Sequence, residues 1–309
     1  MGNTKRQHYV PKCYLKRFSF DGNRLHTFLL KKDMPKFLTS DNKKQIWKDI
    51  SLRNVCVSEN FYTIDESNSH NNNGFKSMAF EKDFFQDFVE PKLSSIINTF
   101  ENLAKKILIK KTPIATVPIS DTDRMNLALS TFIQYYRTAR QRNIIDEVNN
   151  IIIQCQKESK IQKGESIKNI KGLDVAFTHA NQTYLNMHLW SMFIQKISSY
   201  CLLLRVSDNG NFFTSDNPVV IHKLGAKGKD VFNVNFYKDD FNVFFPLTPN
   251  LILEYYSPIH FPEAVKMNDT ISMVDVNYEN QVNKYQYINA EKFVFSYTND
   301  FSLFLKPNK

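Results

Sequence analysis

The middle of this sequence has helical spacing, and short strand-like runs flank it on both sides. Phe84 and Phe88 are four residues apart, as are Ile96 and Phe100, and this interval places apolar side chains on one face of a helix. Helices between two groups of strands predict an α+β fold. We expect long central helices packed against a mixed or antiparallel sheet built from N-terminal and C-terminal strands. No linker-like stretch divides the chain, so a single domain over residues 1–309 is expected.

Three helices are predicted in the central region, at 80–111, 119–154 and 175–197. Pro91 marks a kink or a break in the first of them, because proline has no amide hydrogen to donate. Ser120 is the expected N-cap of the second, since its hydroxyl can accept a hydrogen bond from the first turn.

Strand-prone runs, rich in aromatic and β-branched residues, surround these helices. The dipeptide Asn209-Gly210 lies between two apolar runs, which predicts a β-hairpin. A polar helix is expected over 275–290, and the polar segment 65–74 is typical of a surface loop. The expected strands lie at 24–30, 60–65, 200–206, 211–222, 241–257 (two strands) and 292–298.

The chain carries a net charge of +9, from 40 Lys and Arg against 31 Asp and Glu. Cationic side chains release counterions from phosphates, so this excess favours nucleic acid or a nucleotide as a partner. The alternative is codon bias, because Lys, Asn, Ile and Phe are abundant while Gly and Ala are scarce, as AT-rich codons would produce. The charge alone leaves both explanations open.

The four cysteines are far apart, and none forms a Cys-x-x-Cys pair. We therefore expect reduced thiols rather than a zinc knuckle or a redox dithiol. The first residues lack the apolar core of a secretory signal, and no apolar run reaches the ~18 residues of a membrane-spanning helix. The expectation is a cytoplasmic protein without membrane contact, whose oligomeric state the sequence does not determine. P-loop, GxGxxG, GxSxG and HExxH motifs do not occur.

The segment YYRTARQR, at 135–142, supplies the first candidate site. Arg137 and Arg140 are three residues apart in a predicted helix, so both would project from one face. Two guanidinium groups on one face can hold a phosphate or carboxylate of a substrate. The alternative is a pair of surface arginines that bind Asp146, Glu147 or water.

The segment FFTSDNPVV, at 212–220, supplies the second candidate. Ser215, Asp216 and Asn217 lie where a strand is expected to end, because Pro218 interrupts the hydrogen-bond ladder. In a functional site, Asp216 would be catalytic, whereas Ser215 and Asn217 would bind substrate. The alternative is an Asx-turn in which Asp216 accepts hydrogen bonds from the backbone around Asn217 and Pro218.

The segment QHYVPKCYLKRFS contains the third candidate, His8. An imidazole acts as an acid or base when a carboxylate fixes its tautomer, and Glu90 is one acidic residue available on the first helix. A structural histidine held by hydrogen bonds is the alternative. The one cofactor suggested is a divalent cation, bound for example by Glu81 and Asp216, but no complete set of metal ligands is evident.

These segments together resemble the domain of unknown function 4238 family, a mainly bacterial group. The blocks QHYVPKCYLKRFS, NVCVSENFYTID, FIQYYRTARQR, FFTSDNPVV and FFPLTPNLILEYY occur in the order of that family over nearly the whole chain. The resemblance supplies no activity. It implies that five candidate residues fall in recurring motifs: His8, Arg137, Ser215, Asp216 and Pro218. Lys12 and Cys13 stand where relatives often have Gln or Arg and an aromatic residue, which argues against Cys13 as an obligatory nucleophile.

The leading expectation is a nuclease-like hydrolase that acts on a phosphate-bearing substrate such as nucleic acid or a nucleotide. Arg137 and Arg140 would hold phosphate, while His8 and Asp216 would transfer protons or bind a metal ion. The alternative is a non-catalytic module that binds nucleic acid or protein through a basic face. A third interpretation is architectural, with His8 and Asp216 hydrogen-bonded to each other.

Overall fold

The computed structural model describes residues 6–30, 47–63, 80–167, 170, 172–181, 186–225 and 238–304. The loop expected at 65–74 lies outside the described residues. The strands are β1 (Arg6–His8), β2 (Arg24–Leu29), β3 (Trp47–Ser51), β4 (Val57–Glu59), β5 (Ile114–Thr116), β6 (Cys201–Ser207), β7 (Thr214–Ser215), β8 (Val220–Lys223), β9 (Phe241–Thr248), β10 (Leu251–Tyr256), β11 (Thr270–Val274) and β12 (Phe293–Ser296). The helices are α1 (Lys12–Leu15), a π-helical segment (Phe80–Val89), α2 (Glu90–Lys110), α3 (Asp121–Tyr136), α4 (Ala139–Gln162), α5 (Val175–Ala180), α6 (Met187–Ser198), α7 (Pro262–Val265) and α8 (Val276–Asn289).

A six-stranded mixed sheet, in the order β5-β11-β6-β10-β9-β8, forms the centre of the described chain. Its neighbours are antiparallel except β6 and β11, which run parallel. Alternate residues such as Leu202, Leu204 and Leu253 are fully buried and belong to one core with Phe132 and Phe193 of the central helices. Strands alternate their side chains between two faces. This face of the sheet packs on the central helices, whereas residues of the other face, such as Phe244 and Ile252, form a separate cluster with Val282 of α8. The α+β prediction is confirmed.

A second sheet, in the order β3-β2-β12-β7, joins the two ends of the chain. Strand β2 pairs antiparallel with β12, with Leu29 opposite Phe293 and His26 opposite Ser296. The strands expected at 24–30 and 292–298 are therefore confirmed, and so is a sheet that combines N-terminal with C-terminal strands. No helix in the described ranges is long and apolar enough to cross a membrane.

The hairpin expected at Asn209-Gly210 is wrong. Strand β6 pairs with β10 and β11, whereas the short β7 belongs to the second sheet. Gly210 does have a positive φ of 63°, but the turn leads the chain from one sheet to the other. The side chain of Asn250 stabilises this exit by donating to the Ser207 carbonyl at 2.9 Å. Long-range strand pairing thus overrides a local turn signal.

The second predicted helix, 119–154, is two helices. Ser120 is its N-cap as expected, and its hydroxyl accepts a 3.1 Å hydrogen bond from the Asp123 amide. Helix α3 ends at Tyr136, and Thr138 is extended, with φ −78° and ψ 161°, before α4 begins. Arg137 and Arg140 consequently do not share a helix face, which corrects the expectation of a two-arginine fork. Pro91 lies in the first turn of α2, and at this point the chain changes from the π-helical segment to an α-helix without a gap, since Val89 keeps helical φ and ψ.

Two other strand boundaries also differ from expectation. The run expected at 60–65 is a turn in its described part, because Asn60 has a positive φ of 52° and the strand is β4 just before it. The run expected at 211–222 keeps only β7 and β8 as strands. By contrast, the two strands expected within 241–257 are β9 and β10, and they form an antiparallel hairpin.

Candidate functional site

The N-terminal block that contains His8 is anchored to both sheets. Strand β1 pairs with β4, which places His8 opposite Val57. From the following helix, the buried Tyr14 hydroxyl donates to the Pro246 carbonyl at 2.6 Å and lies 2.7 Å from the Thr214 hydroxyl. These two contacts join α1 to β9 and β7. The block is therefore part of the folded framework, and His8 has a defined position in it.

The structure brings His8 and Arg137 together. The Arg137 side chain is 1% exposed, and its Nη2 atom donates to the His8 carbonyl at 2.8 Å. Both terminal nitrogens lie 3.3 Å from Oε1 of Glu90, and the guanidinium carbon lies 3.9 Å from the centre of the Phe85 ring. The Tyr62 hydroxyl donates to the Arg137 carbonyl at 2.7 Å. Arg137 thus joins β1 to the start of α2, and a phosphate would have to displace Glu90 to bind it.

The His8 imidazole lies in an electropositive environment. Burial lowers its pKa to about 4, with further lowering by the charges of Lys12, Arg137 and Arg6, while the backbone of Val55 opposes the shift. The ring is therefore neutral at pH 7. Its Nδ1 atom is buried, and no group of the described residues meets it in hydrogen-bond geometry.

Cys13 lies beside the same ion pair. Its Sγ atom donates to Oε2 of Glu90 at 3.9 Å, a long contact for a weak donor. Burial, followed by the negative charge of Glu90, raises the pKa of the Cys13 thiol to about 11. Because the nucleophilic form of cysteine is the thiolate, this thiol is poorly reactive at neutral pH.

Asp216 is buried and binds backbone amides of a distant segment. Its two carboxylate oxygens accept hydrogen bonds from the amides of Glu291 and Lys292, at 2.9 and 2.8 Å, and its own amide donates to the Phe293 carbonyl. The carboxylate thus fixes the start of β12 rather than capping its own turn. Burial raises the pKa of Asp216 to about 7, although the amide donors oppose this shift.

Asp216 and His8 are not hydrogen-bonded to each other in the described part of the chain, so the architectural interpretation fails in that detail. Asp216 nevertheless lies close to Cys56, a residue of the N-terminal region. The pKa of the buried Cys56 thiol is raised first by burial and then by the charge of Asp216. Cys56 in turn accepts a backbone hydrogen bond from Tyr9 at 2.9 Å. The two motif blocks are therefore neighbours without direct contact between the two predicted catalytic groups.

Helix α8 turns a polar face towards segment 211–219. Asn283 accepts a hydrogen bond from the Phe213 amide at 2.7 Å and donates to the Asn211 carbonyl at 2.8 Å. Side-chain amides here replace the backbone groups of a neighbouring strand, which is why most of this segment is not in a sheet. The polar stripe of α8 consists of four buried residues at helical spacing: Glu279, Asn283, Gln286 and Asn289.

Ser215, Asn217 and Arg140 belong to this second cluster. Ser215 donates to Oε1 of Gln286 at 2.8 Å and accepts from the Asn217 amide at 3.1 Å. Asn217 and Asn289 exchange hydrogen bonds of 3.0 and 2.9 Å between side chain and carbonyl. Arg140 donates to Oδ1 of Asn289 at 2.7 Å. The structure therefore divides the predicted site residues into a His8–Arg137 cluster and an Arg140–Ser215–Asp216–Asn217 cluster.

Replacing Asn283 by Ala is expected to lower the free energy of unfolding by about 2–3 kcal/mol, because it leaves a buried amide of Phe213 and a carbonyl of Asn211 without partners. Chemical denaturation followed by circular dichroism measures this loss. The control is Lys284→Ala, which changes the next, exposed residue of the same helix and is expected to have an effect within about 0.5 kcal/mol. Equal effects of the two substitutions would refute the role assigned to the stripe.

A buried ion pair that sequence analysis missed lies on the other face of the six-stranded sheet. Glu254 is fully buried, and its Oε2 atom lies 3.2 Å from Nε of Arg205. Arg205 also donates to Ser272 at 2.5 Å, and the Tyr278 hydroxyl donates to Glu254. The signal was a single charged residue in each of two otherwise apolar runs, LLLRV and LILEYY. Its hydrogen bonds are those of a satisfied structural ion pair.

The structure offers no support for the divalent cation within the described residues. None of their His, Cys, Asp and Glu side chains forms a group of three or more that could hold a metal ion. The side chain of Glu81, proposed above as a ligand, lies outside what the structure describes.

The fold and these contacts define a class of α+β protein in which motif blocks from distant parts of the chain are joined by buried hydrogen bonds and an ion pair. The chain belongs to the family described as protein of unknown function (DUF4238), whose model matches residues 6–300. This confirms the resemblance drawn from the sequence. No curated protein and no solved structure matches the chain.

Proposed function

We propose that the protein binds a phosphate-bearing ligand, nucleic acid or a nucleotide, at an N-terminal basic patch formed by Arg6, His8 and Lys12. The observation that carries the proposal is the placement of two exposed cations, Arg6 in β1 and Lys12 at the start of α1, on either side of His8; the charges of both also lower the pKa of His8. Lys12 and Arg6 are exposed, and His8 is partly exposed. Phosphate is the anion that such groups commonly bind in nucleic acids and nucleotides.

The neighbouring carboxylates leave this charge largely unbalanced. Glu90 already faces the buried Arg137. Glu59 lies opposite Arg6 in the β1–β4 ladder, but the Arg6 guanidinium donates instead to the Arg53 carbonyl and to the Asn54 side chain. The basic patch therefore has a fixed arginine at one end and a long, exposed lysine at the other.

Hydrolysis of the bound phosphoester is the second candidate function, favoured by the neutral imidazole of His8. Burial is the main cause of the lowered pKa of His8, and the charges of Lys12, Arg137 and Arg6 add to it; a bound phosphate would offset these charges and so would raise that pKa. An imidazole that titrates near neutral pH is an efficient acid or base. In this proposal Arg137 is a positioning residue, because it holds the His8 carbonyl rather than the ligand. The Arg140–Ser215–Asp216–Asn217 cluster has a structural role in this proposal, because its hydrogen bonds go to α8 and to the start of β12.

Lys12→Glu is expected to weaken binding about tenfold or more and to lower the salt dependence of the binding constant by one to two phosphate contacts. Fluorescence anisotropy with a single-stranded oligonucleotide and with a labelled mononucleotide, each over a range of salt, measures both quantities and separates the two ligand sources. The matched control is Lys163→Glu, at an exposed position just after α4. An equal loss in both variants, or no binding by the wild-type protein, would refute the proposal.

Chromatography of the same mixtures tests hydrolysis. Product formed by the wild-type protein and absent with His8→Gln, while the ligand still binds, is the result expected of an enzyme. Binding without any product would leave the protein a binding module and reject the catalytic role of His8.

A further inference from the structure

Helix α4 carries an exposed apolar row. It is 24 residues long, and Ile145 is its buried residue. The apolar stripe of α4 consists of Ile144, Val148, Ile151 and Cys155. The first three are 44%, 45% and 63% exposed, and Cys155 is exposed as well. A row of this kind marks an interaction surface, because isolated surface helices place such residues against a partner.

We propose that two copies of the chain associate through their α4 helices, packed antiparallel about a two-fold axis. The stripe has intervals of four, three and four residues, the spacing of a coiled-coil seam. Because these intervals are symmetric, an axis between Val148 and Ile151 places each stripe residue opposite a stripe residue of the second copy. Ile144 then meets Cys155, and Val148 meets Ile151. A two-fold contact of this type uses the same surface on both copies.

A groove beside the helix extends the same surface. Its volume is about 950 Å³, and Ile144 forms part of one wall, while Leu29, Leu30 and Phe293 supply apolar groups on the other side. The groove follows the N-terminal half of α4, where an antiparallel second helix would place its C-terminal half. That half is largely exposed, from Ile151 to Gln162. The second helix therefore has room to lie along the groove.

The charges of the groove favour a protein helix over a polyanion. The groove contains cations, such as Arg140 and Lys292, but also the carboxylates of Asp146, Glu147 and Glu291. A polyanion would be repelled by the carboxylates, whereas a helix with residues of both signs can pair with each group.

The antiparallel register also creates a specific ion pair. It brings Glu158 of one copy within one residue of the level of Arg140 of the other, and both residues lie on the same side of the stripe, four residues before Ile144 and three after Cys155. The two-fold axis forms this pair twice. Within its own chain, Arg140 has Glu291 at 3.9 Å. Arg140, predicted from the sequence to bind substrate, would then bind a carboxylate of a second copy.

A dimer interface of sufficient area requires both the apolar stripe of α4 and the groove beside it. A stable interface buries about 800 Å² on each partner, more than four partly exposed side chains supply. The α4 helix is ~36 Å long, so an antiparallel pair covers the stripe and the groove of both copies at once. Stripe and groove together are therefore the proposed contact.

The oligomeric state tests this proposal. Sedimentation velocity over a range of concentrations is expected to give twice the chain mass for the wild-type protein and the chain mass for Ile151→Glu. The matched control is Ile109→Glu, which changes an isoleucine of α2 that is 82% exposed and should remain dimeric. A monomer at every concentration would assign the stripe to another partner, and a dimer that survives Ile151→Glu would place the interface elsewhere. Either result overturns the proposal.

Disulfide crosslinking tests the direction of the helices. In Ile144→Cys, mild oxidation by a glutathione redox buffer is expected to join the introduced thiol of each copy to Cys155 of the other. Ile144→Cys combined with Cys155→Ser should not crosslink. Parallel helices would instead place the two Cys155 thiols together and crosslink the wild-type protein. A crosslinked wild type, or no crosslink in Ile144→Cys, contradicts the antiparallel register.

Discussion

Replacing Arg137 by Ala is expected to lower the free energy of unfolding by about 3–5 kcal/mol. The substitution removes the hydrogen bond to the His8 carbonyl, leaves Glu90 without its cation and opens a cavity beside the Phe85 ring. All three losses occur around a side chain that is 1% exposed, where water cannot replace the missing contacts. Urea denaturation, followed by tryptophan fluorescence and by circular dichroism, measures the change and checks that unfolding is two-state.

Two further variants make this result specific. Arg137→Met keeps most of the volume but not the charge, so it should recover part of the packing while Glu90 stays unpaired. Arg53→Ala removes an arginine side chain that is exposed, and its effect is expected to stay within about 0.5 kcal/mol. If Arg137→Ala lowered the stability by less than about 1 kcal/mol, Arg137 would not be the link between β1 and α2 described above.

The stability of the wild-type protein relative to Asp216→Asn is expected to decrease as the pH rises from about 4 to about 7. Burial raises the pKa of Asp216 from 3.8 to about 7, so between these values the folded state keeps a proton that the unfolded state has lost. The free energy of unfolding then falls by up to about 1.4 kcal/mol per pH unit, and the fall ends above pH 7. Asparagine carries no such proton, so the difference between the two proteins isolates Asp216.

The comparison with Asp216→Asn is needed because other groups raise the free energy of unfolding as the pH rises, the opposite of the effect of Asp216. The pKa values of His8 and His179 are both lowered to about 4, mainly by burial, so acid favours the unfolded state at these residues. Both proteins share these contributions, which cancel in the difference. Asp121→Asn, at an exposed position, should leave the pH profile parallel to that of the wild type. A flat difference between wild type and Asp216→Asn would show that the carboxylate is ionised throughout this range.

The spacing of apolar residues correctly predicted those helices and strands whose buried residues follow the regular periodicity of a helix or strand. The four-residue spacing of Ile96 and Phe100 describes a face that is buried in α2. The break between α3 and α4 contains neither proline nor glycine, since Tyr136 is followed by Arg137 and Thr138. The interruption coincides with the burial of Arg137 against β1 and α2, a tertiary contact that helix periodicity does not contain.

Sequence motifs identified His8 as a candidate residue but not Lys12, which lies four residues later in the proposed patch. The partners of Asp216 are amides some 75 residues later, and no local pattern identifies a backbone donor at that distance. The ion pair of Glu254 and Arg205 was not predicted for the same reason. Its two residues lie in different strands, and the order of the strands in the sheet does not follow from the sequence.

The pairing of β2 with β12 has a consequence for biosynthesis. About 264 residues separate the partners Leu29 and Phe293, so β2 leaves the ribosome long before its neighbour has been made. Contacts this distant in sequence form slowly, and an unpaired strand edge invites association with other chains. A nascent chain that stalls before β12 would expose that edge. The distance in sequence between β2 and β12 therefore lengthens the time for which the nascent chain can associate with other chains.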